Sequence, residues 1–157
     1  MQAIRKVTQQ AEAATLTVLM IEDSMEDGAT ITRACIEGEM HYDFKIIRKY
    51  TLEGGLDYLM ASRVDVVLLD LGLPDARGLK SVNRIHTLFP DLPIVIISGY
   101  SDIEMIQQAM KNGAQEFLIK GESSSAAIRQ SMYQAIARKR VEQAFNEAGK
   151  HVSADPI

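Results

Sequence analysis

Five polar side chains stand at or just after the ends of apolar runs in this sequence. The acids Glu22 and Asp23 follow one run, and Asp70 ends another. A hydroxyl, Ser98, and an amine, Lys120, end two more. A buried acid costs free energy unless it is paired, so an acid at the mouth of a buried strand indicates a site. If the runs are parallel strands of one sheet, their ends share one rim and these five side chains converge there.

The three acids, Glu22, Asp23 and Asp70, predict a magnesium site. Carboxylates close together repel one another and raise each other's pKa unless a cation neutralises them. Mg²⁺ takes one or two carboxylates directly and keeps several waters, so it suits an open site of this kind. A carboxylate can also be the nucleophile in phosphoryl transfer. Asp70 would then attack phosphorus, while Lys120 and the Ser98 hydroxyl would hold oxygens of the transferred group.

Simpler interpretations of the same residues stay open. Asp70 could cap a turn, and Glu22 and Asp23 could be acids of a loop before a helix. Ser98 alone or Lys120 alone is a weak indication of a phosphoryl-transfer site, but the two together are a strong one. The chemistry is therefore predicted from the set and not from any one member.

Five short runs have the composition of β-strands. Three of them are almost entirely apolar, as is typical of parallel strands that are buried on both faces. The second run alternates more and is predicted at an edge of the sheet. The runs are "LTVLMIE" (16–22), "FKIIRKY" (44–50), "VDVVLLD" (64–70), "PIVIIS" (93–98) and "EFLIK" (116–120).

The segments between these runs have the apolar spacing of helices. Gly38, Pro90 and Asn112-Gly113 mark helix ends, and Asp102 is a candidate N-cap. The chain thus alternates strand and helix five times. This pattern predicts an α/β fold of the (βα)₅ type, a doubly wound five-stranded parallel sheet with helices on both faces.

Residues 123–148 can form one helix, about 39 Å long at 1.5 Å per residue. An apolar stripe suited to the core ends near Ile136, and Val141 and Phe145 continue on a rotated face. We expect a protruding helix that pairs with another chain, as in a homodimer, or that leads into another domain. The alternative is a helix that frays after about residue 140.

Composition limits the class of protein. The 157 residues, 46% of them hydrophobic, suffice for one domain with a full core. A net charge of -4 gives no broad basic surface, so direct nucleic-acid binding is not expected. The single cysteine, Cys35, excludes a disulfide framework, and no apolar stretch approaches the roughly 20 residues that cross a bilayer. A cytoplasmic protein with protein partners and no membrane association fits best.

Four motifs occur in a characteristic order: "VLMIEDS", "VVLLDLGLPDARGL", "IVIISGYSD" and "NGAQEFLIKG". Over about residues 15–138 the sequence resembles the receiver domain of bacterial two-component response regulators. The resemblance implies a flavodoxin-like strand order, 2-1-3-4-5, and Mg²⁺ as cofactor. It also implies site roles, which are phosphoacceptor for Asp70, metal acids for Glu22 and Asp23, carbonyl donor to the metal for Gly72, switch hydroxyl for Ser98 and phosphate-contacting amine for Lys120.

The sequence departs from the family pattern at three positions. Glu22 replaces the commoner aspartate, and its longer arm favours a water-bridged contact with the metal. Phe117 stands where the family often has tyrosine, so an aromatic switch that follows Ser98 would lack a hydroxyl. Gly121 follows Lys120 where proline is usual; because a cis bond before a non-proline residue costs about 2.5–4 kcal/mol, a trans bond is expected.

Together these features predict a phosphorylation-dependent signalling switch that is not a turnover enzyme. A sensor histidine kinase or a histidine phosphotransfer protein would donate the phosphoryl group to Asp70, and the altered surface would bind a downstream protein that the sequence does not identify. The expected layout is an N-terminal arm or short helix (1–14), the receiver domain (15–138), and a helical extension with a disordered tail from about residue 149 (139–157).

Two other functions fit parts of the sequence. A pseudo-receiver would keep the fold as an interaction module without regulation by phosphorylation. A phosphatase of the haloacid dehalogenase type would also use an aspartate nucleophile, but it needs a second aspartate two residues later, where Gly72 stands.

Overall fold

The elements of the chain alternate between strand and helix as the sequence predicts. The computed structural model describes residues 14–37, 42–99 and 102–153. In chain order the elements are β1 (Ala14–Ile21), α1 (Met25–Ile36), β2 (Tyr42–Lys49), α2 (Leu52–Ala61), β3 (Val66–Leu69), β4 (Gly72–Leu73), β5 (Ala76–Arg77), α3 (Leu79–Leu88), β6 (Ile94–Ser98), α4 (Ile103–Lys111), β7 (Glu116–Ile119) and α5 (Ser125–Ser153).

Five of the strands form one parallel sheet in the order β2-β1-β3-β6-β7. Counted among these five strands alone, this is the order 2-1-3-4-5, so the predicted topology is confirmed. β2 lies at one edge, as its alternating pattern indicates, and β3 and β6 are buried throughout. The winding reverses between β1 and β3, and ligands of such sheets bind at the carboxyl ends of the strands near that point.

Apolar side chains cover both faces of the sheet. One core lies between the sheet and helices α2, α3 and α4, and it includes Leu56, Ile85 and Ala109. The other core lies under α1 and α5 and includes Ile31 and Met132. Burying a leucine, isoleucine or methionine side chain contributes roughly 1.5–3 kcal/mol, so these two layers hold the strand ends in fixed positions.

Helix boundaries follow the predicted signals where the structure describes them. The Asp102 side chain accepts a hydrogen bond from the amide of Glu104 at 2.9 Å and begins α4, and Asn112 ends it. α3 ends at Leu88, two residues before Pro90. Gly38, the predicted end of α1, lies outside the described residues, although the last helical residue there is Ile36.

The C-terminal helix is longer than predicted. α5 runs to Ser153 and passes Gly149, where the disordered tail was expected to begin. A single glycine within a helix costs about 1 kcal/mol relative to alanine, which is too little to end a helix that has no capping signal there. Residues 1–13 of the predicted N-terminal arm (1–14) and the last four residues of the tail (154–157) lie outside the described residues, and Ala14 begins β1.

A short antiparallel pair, β4 with β5, follows β3 and was not predicted. Gly72 pairs with Arg77, and Leu73 pairs with Ala76. Two-residue strands carry no readable periodicity, so the sequence indicates only a loop. Among the described residues, no helix is both long enough and apolar enough to span a membrane.

Candidate functional site

The five side chains singled out from the sequence lie at the carboxyl-terminal ends of the parallel strands, and backbone hydrogen bonds extend the ladder to them. The amide of Asp70 donates to the carbonyl of Ile21 at 3.0 Å, and the amide of Lys120 donates to the carbonyl of Ser98 at 2.8 Å. The amide of Glu22 donates to the last residue of β2 at 3.0 Å. These residues therefore sit on the rigid sheet although they follow its strands.

The three acids meet at this rim. Each of Glu22, Asp23 and Asp70 offers a carboxylate oxygen, and these oxygens lie within 4.8 Å of one another. Glu22 is 1% exposed and Asp70 is 6% exposed, whereas Asp23 is open to solvent. The carboxylates of Glu22 and Asp70 are thus shielded from water, and the carboxylate of Asp23 is in contact with it.

Lys120 is the cation of the site and contacts three carboxylates. Its Nζ lies 2.7 Å from Glu22 Oε2, 3.0 Å from Asp27 Oδ2 and 3.4 Å from Asp70 Oδ1. The contact with Glu22 is a close ion pair, and the Nζ donates a hydrogen bond to Asp27. Asp27 lies in the first turn of α1 and was not among the residues predicted from the sequence.

The pKa values of these groups reflect burial and mutual charge. Burial raises the pKa of Asp70 above its usual value and the charge of Asp23 adds to this, whereas Lys120 and the Gly72 amide oppose it. Burial likewise raises the pKa of Glu22, against the hydrogen bonds from Lys120 and the Ser24 amide. For Lys120, burial lowers the pKa, but the surrounding carboxylates outweigh it and hold the pKa above its usual value. Because four carboxylates, those of Glu22, Asp23, Asp27 and Asp70, share one ammonium group, the ionised site has an excess of negative charge.

The donor set fits a hard divalent cation. One carboxylate oxygen from each of Glu22, Asp23 and Asp70 lies within 4.8 Å of the others, and carboxylate oxygens are ligands that Mg²⁺ prefers. The two buried acids with raised pKa values also call for a positive charge.

Glu22 already uses both carboxylate oxygens within the protein. Its Oε1 accepts a hydrogen bond from the Ser24 amide at 3.0 Å, and its Oε2 faces Lys120. Arg48 supports the same turn, because its Nη2 donates to the Ser24 carbonyl at 3.0 Å. A Cβ added to Gly28 would lie 2.0 Å from that nitrogen, so only glycine lets the guanidinium pack against α1. The expectation that Glu22 meets a metal through water stays a prediction.

Gly72 lies beside the central acid. Its amide donates to the Asp70 carboxylate, and a Cβ at this position would lie 3.3 Å from Asp70 Oδ2. The lack of a side chain thus keeps the approach to Asp70 open. The role of the Gly72 carbonyl as a metal ligand stays a prediction.

Ser98 and Phe117 lie on the same face of the sheet. Ser98 is buried at the end of β6, and Phe117 on β7 is half-buried against the core under α2, α3 and α4. Phe117 pairs in register with Ile96, two residues before Ser98, and side chains two residues apart on a strand share a face. This arrangement would allow the Phe117 ring to follow a movement of the Ser98 hydroxyl. That coupled movement stays a prediction.

The bond between Lys120 and Gly121 is trans, as expected from the missing proline. Gly121 has a φ of 81°, in the left-handed region that glycine reaches without strain. Proline is fixed near -65° and cannot adopt this conformation. The loop after β7 therefore takes a path that the usual Lys-Pro sequence would forbid.

Comparison with known proteins identifies the family. The sequence profile of the response regulator receiver domain matches residues 18–133. The chain belongs to this family. Receiver domains are signalling domains of two-component systems, and the receiver domain here has the intact fold with the acidic cluster at its expected rim.

The receiver domain is similar to part of several regulators. It is 37% identical to the regulatory protein LuxO of Vibrio vulnificus over 65 residues, which is 41% of this chain and 14% of LuxO. It is 27% identical to the transcriptional regulatory protein ZraR of Salmonella typhimurium over 105 residues, 67% of this chain and 23% of ZraR. The chain therefore matches less than a quarter of the full length of either relative.

The fold also matches solved receiver domains. The signal receiver domain of a LuxO repressor protein from Vibrio parahaemolyticus superposes with a TM-score of 0.72 at 21% identity, covering 83% of this chain and 97% of that one. At this identity the likeness supports the architecture, and the roles of individual residues need their own argument.

Proposed function

We propose that the receiver domain is a signalling switch in which Asp70 accepts a phosphoryl group, with Mg²⁺ as cofactor. The donor is a phosphohistidine on a sensor histidine kinase or on a histidine phosphotransfer protein. The observation that carries the proposal is the meeting of Glu22, Asp23, Asp70 and Lys120 within one small volume, although they come from three different strand ends.

The transfer is a displacement at phosphorus. An Asp70 carboxylate oxygen attacks the phosphorus, the bond between phosphorus and the donor nitrogen breaks, and its electron pair returns to the imidazole. The product is an acyl phosphate on Asp70 and a free histidine on the donor. When bound by Glu22, Asp23 and Asp70, Mg²⁺ supplies positive charge to the transferred oxygens.

The remaining residues have positioning roles. Lys120 moves from the carboxylates toward a phosphoryl oxygen, since its Nζ is already 3.4 Å from Asp70 Oδ1. The Ser98 hydroxyl binds another oxygen, and Phe117 follows it on the same face of the sheet. Phosphorylation of Asp70 shifts α4, β7 and α5 between two arrangements, and the altered surface binds a downstream protein. One phosphoryl group is held per chain, so the chain is a phosphoacceptor and not a turnover enzyme.

Labelling by a small-molecule donor tests this assignment. We expect acetyl phosphate with Mg²⁺ to add one phosphoryl group to the full chain, detected by intact-protein mass spectrometry. Asp70→Asn should take up none, whereas Asp57→Asn, which removes an exposed carboxylate of α2, should label like the wild type. Chelation of Mg²⁺ should suppress the labelling.

Two results would overturn the proposal. Equal labelling of the wild type and Asp70→Asn would show that another residue is modified. No labelling of a folded wild-type chain by acetyl phosphate or by a phosphohistidine donor would favour the pseudo-receiver, an interaction module without phosphorylation.

A further inference from the structure

The second half of α5 carries an exposed apolar face. Val141 is 69% exposed and Phe145 is 79% exposed, and all residues from 144 to 150 are exposed. Val141 and Phe145 lie one turn apart, so they form a patch and are not isolated apolar side chains. Gln143 is the residue of this segment that reaches back to the domain, where its Nε2 donates to the Asp91 carbonyl at 3.5 Å. The apolar side chains of Val141 and Phe145 lie in solvent.

The apolar face has the spacing of a helix-pairing seam. Ala137, Val141, Ala144 and Ala148 are all exposed and are separated by four, three and four residues. This is the alternation of the two core positions of a heptad repeat. At 100° per residue the seam points away from the core residue Met132, so α5 can pack on its own sheet and on another helix at once. The small alanines allow the second helix to approach closely.

Three consecutive basic residues, Arg138, Lys139 and Arg140, lie in the middle of α5, and the first two differ from the third in their contacts. Arg138 pairs with Glu116 on β7. Lys139 is buried, and its Nζ donates to the carbonyl of Pro90 at 3.0 Å. These two residues fasten the helix to the domain. Arg140, the third, forms no ion pair within the described residues.

Arg140 and Glu147 lie seven residues apart on the same flank of the seam. Glu147 is also exposed and without an ion pair among the described residues. In an antiparallel pair of identical helices this flank faces itself, so Arg140 of each copy lies opposite Glu147 of the other. In a parallel pair, the flank that carries Arg140 and Glu147 would instead face the other flank of the partner helix, which carries Arg138 and Phe145. Charge complementarity therefore selects the antiparallel arrangement.

We propose that α5 of the receiver domain pairs antiparallel with α5 of a second copy, through the seam Ala137, Val141, Ala144 and Ala148 and two reciprocal Arg140–Glu147 ion pairs. The partner helix belongs to a second copy of this chain because Arg140 and Glu147 on the flank are complementary to the same two residues of another copy. The contact is about two heptads long, so the dimer is in equilibrium with monomer, and its charged part weakens as salt screens it.

Sedimentation across a range of protein concentrations tests the seam. The full wild-type chain should shift from monomer toward dimer as its concentration rises. Val141→Glu should abolish the shift, because it places a charge in the seam at a side chain that is exposed in the monomer. Met60→Glu, the same kind of change at an exposed position of α2, should sediment like the wild type.

Charge exchange tests the orientation. Arg140→Glu and Glu147→Arg should each weaken dimerisation about ten-fold, since each turns two attractive contacts into repulsive ones. The double variant R140E/E147R should dimerise like the wild type. An equimolar mixture of the two single variants should form a mixed dimer more tightly than either variant pairs with itself. Lys80→Glu, an equal charge change on α3, is the control.

Three results of these experiments would contradict the proposed dimer or its orientation. A wild type that stays monomeric at all concentrations overturns the proposal, as does a dimer that survives Val141→Glu. Loss of dimer in the single variants without recovery in the double variant or the mixture overturns the antiparallel arrangement. Circular dichroism of every variant establishes that the receiver domain remains folded.

Discussion

At the scale of single residues, Lys120 is shared among three carboxylates, and this sharing affects its encounter with a phosphoryl group. The hydrogen bond to Asp27 at 3.0 Å comes from the first turn of α1, outside the set of strand-end residues. A phosphoryl group on Asp70 would draw the ammonium toward itself and away from Asp27. If Asp70 is phosphorylated as proposed, Asp27 would act as a positioning residue that competes for the lysine.

Asp27→Asn should speed the phosphorylation of Asp70. We expect acetyl phosphate to label this variant about 1.4- to five-fold faster than the wild type, since an ion pair of this exposure is worth about 0.2–1 kcal/mol. The measurement is the initial rate of phosphoryl incorporation at fixed Mg²⁺. Glu26→Gln, which removes the neighbouring exposed acid that does not contact Lys120, separates this contact from the general loss of negative charge. An unchanged or slower rate in Asp27→Asn would contradict the competition.

At the scale of elements, the β4–β5 hairpin connects the site to α2. Asp75, in the turn of this hairpin, accepts hydrogen bonds from the amides of Leu52 and Glu53, each at 2.9 Å. The next two amides of α2 donate to the side chain and carbonyl of Thr51. All four amides at the start of α2 thus have partners, and two of them depend on a loop that also carries Gly72.

Asp75→Ala should destabilise the fold by about 1 kcal/mol, the usual cost of losing an N-terminal cap. Urea unfolding at neutral pH measures this loss. Asp57→Ala, on the exposed side of the same helix, should change the free energy of unfolding by less than about 0.5 kcal/mol. If Asp75→Ala were as stable as the wild type, water would hydrogen-bond the amides of Leu52 and Glu53 as well as the Asp75 carboxylate does.

The contribution of Asp75 should also depend on pH. Its slight burial raises the pKa, but the amides of Glu53 and Leu52 and the charge of Arg84 outweigh this, so the pKa lies below its usual value. A lowered pKa in the folded state gives stability that is present above the unfolded pKa and is lost as the pH falls through the folded one. The difference in unfolding free energy between wild type and Asp75→Ala should therefore shrink in acid.

At the scale of the whole molecule, the parts that could be predicted from sequence are those set by periodicity and by the sheet. Continuous apolar runs define the strands, and a parallel sheet brings their carboxyl ends to one rim, so the meeting of Glu22, Asp70 and Lys120 could be anticipated. Asp27 could not, because its direction depends on how α1 is rotated about its axis. One indication was available in Ser24, a cap residue that places Asp27 in the first turn of the helix.

The burial of Asp70 among other acids affects the stability of the whole receiver domain. Burial, with the charge of Asp23, raises the pKa of Asp70, so the folded state prefers the neutral acid and the ionised form destabilises it at neutral pH. Asp70→Asn should therefore stabilise the fold in the absence of Mg²⁺, by about 0.5–2 kcal/mol, the range of single stabilising substitutions. The cost of the ionised form is absent below the unfolded pKa, grows as the pH rises from the unfolded pKa to the folded one, and is complete above the folded pKa. The advantage of the variant should therefore fade in acid.

Mg²⁺ should reverse this order of stability. An ion that binds the folded state raises the free energy of unfolding, and it should do so more for the wild type, which offers three carboxylates, than for Asp70→Asn. Thermal unfolding with Mg²⁺ and with chelator, at neutral and acid pH, measures both effects, and Asp57→Asn should follow the wild type under every condition. If Asp70→Asn were the less stable protein in chelator, the ion pair with Lys120 would outweigh the burial of Asp70 and the repulsion from Asp23. The site would then be balanced without a metal.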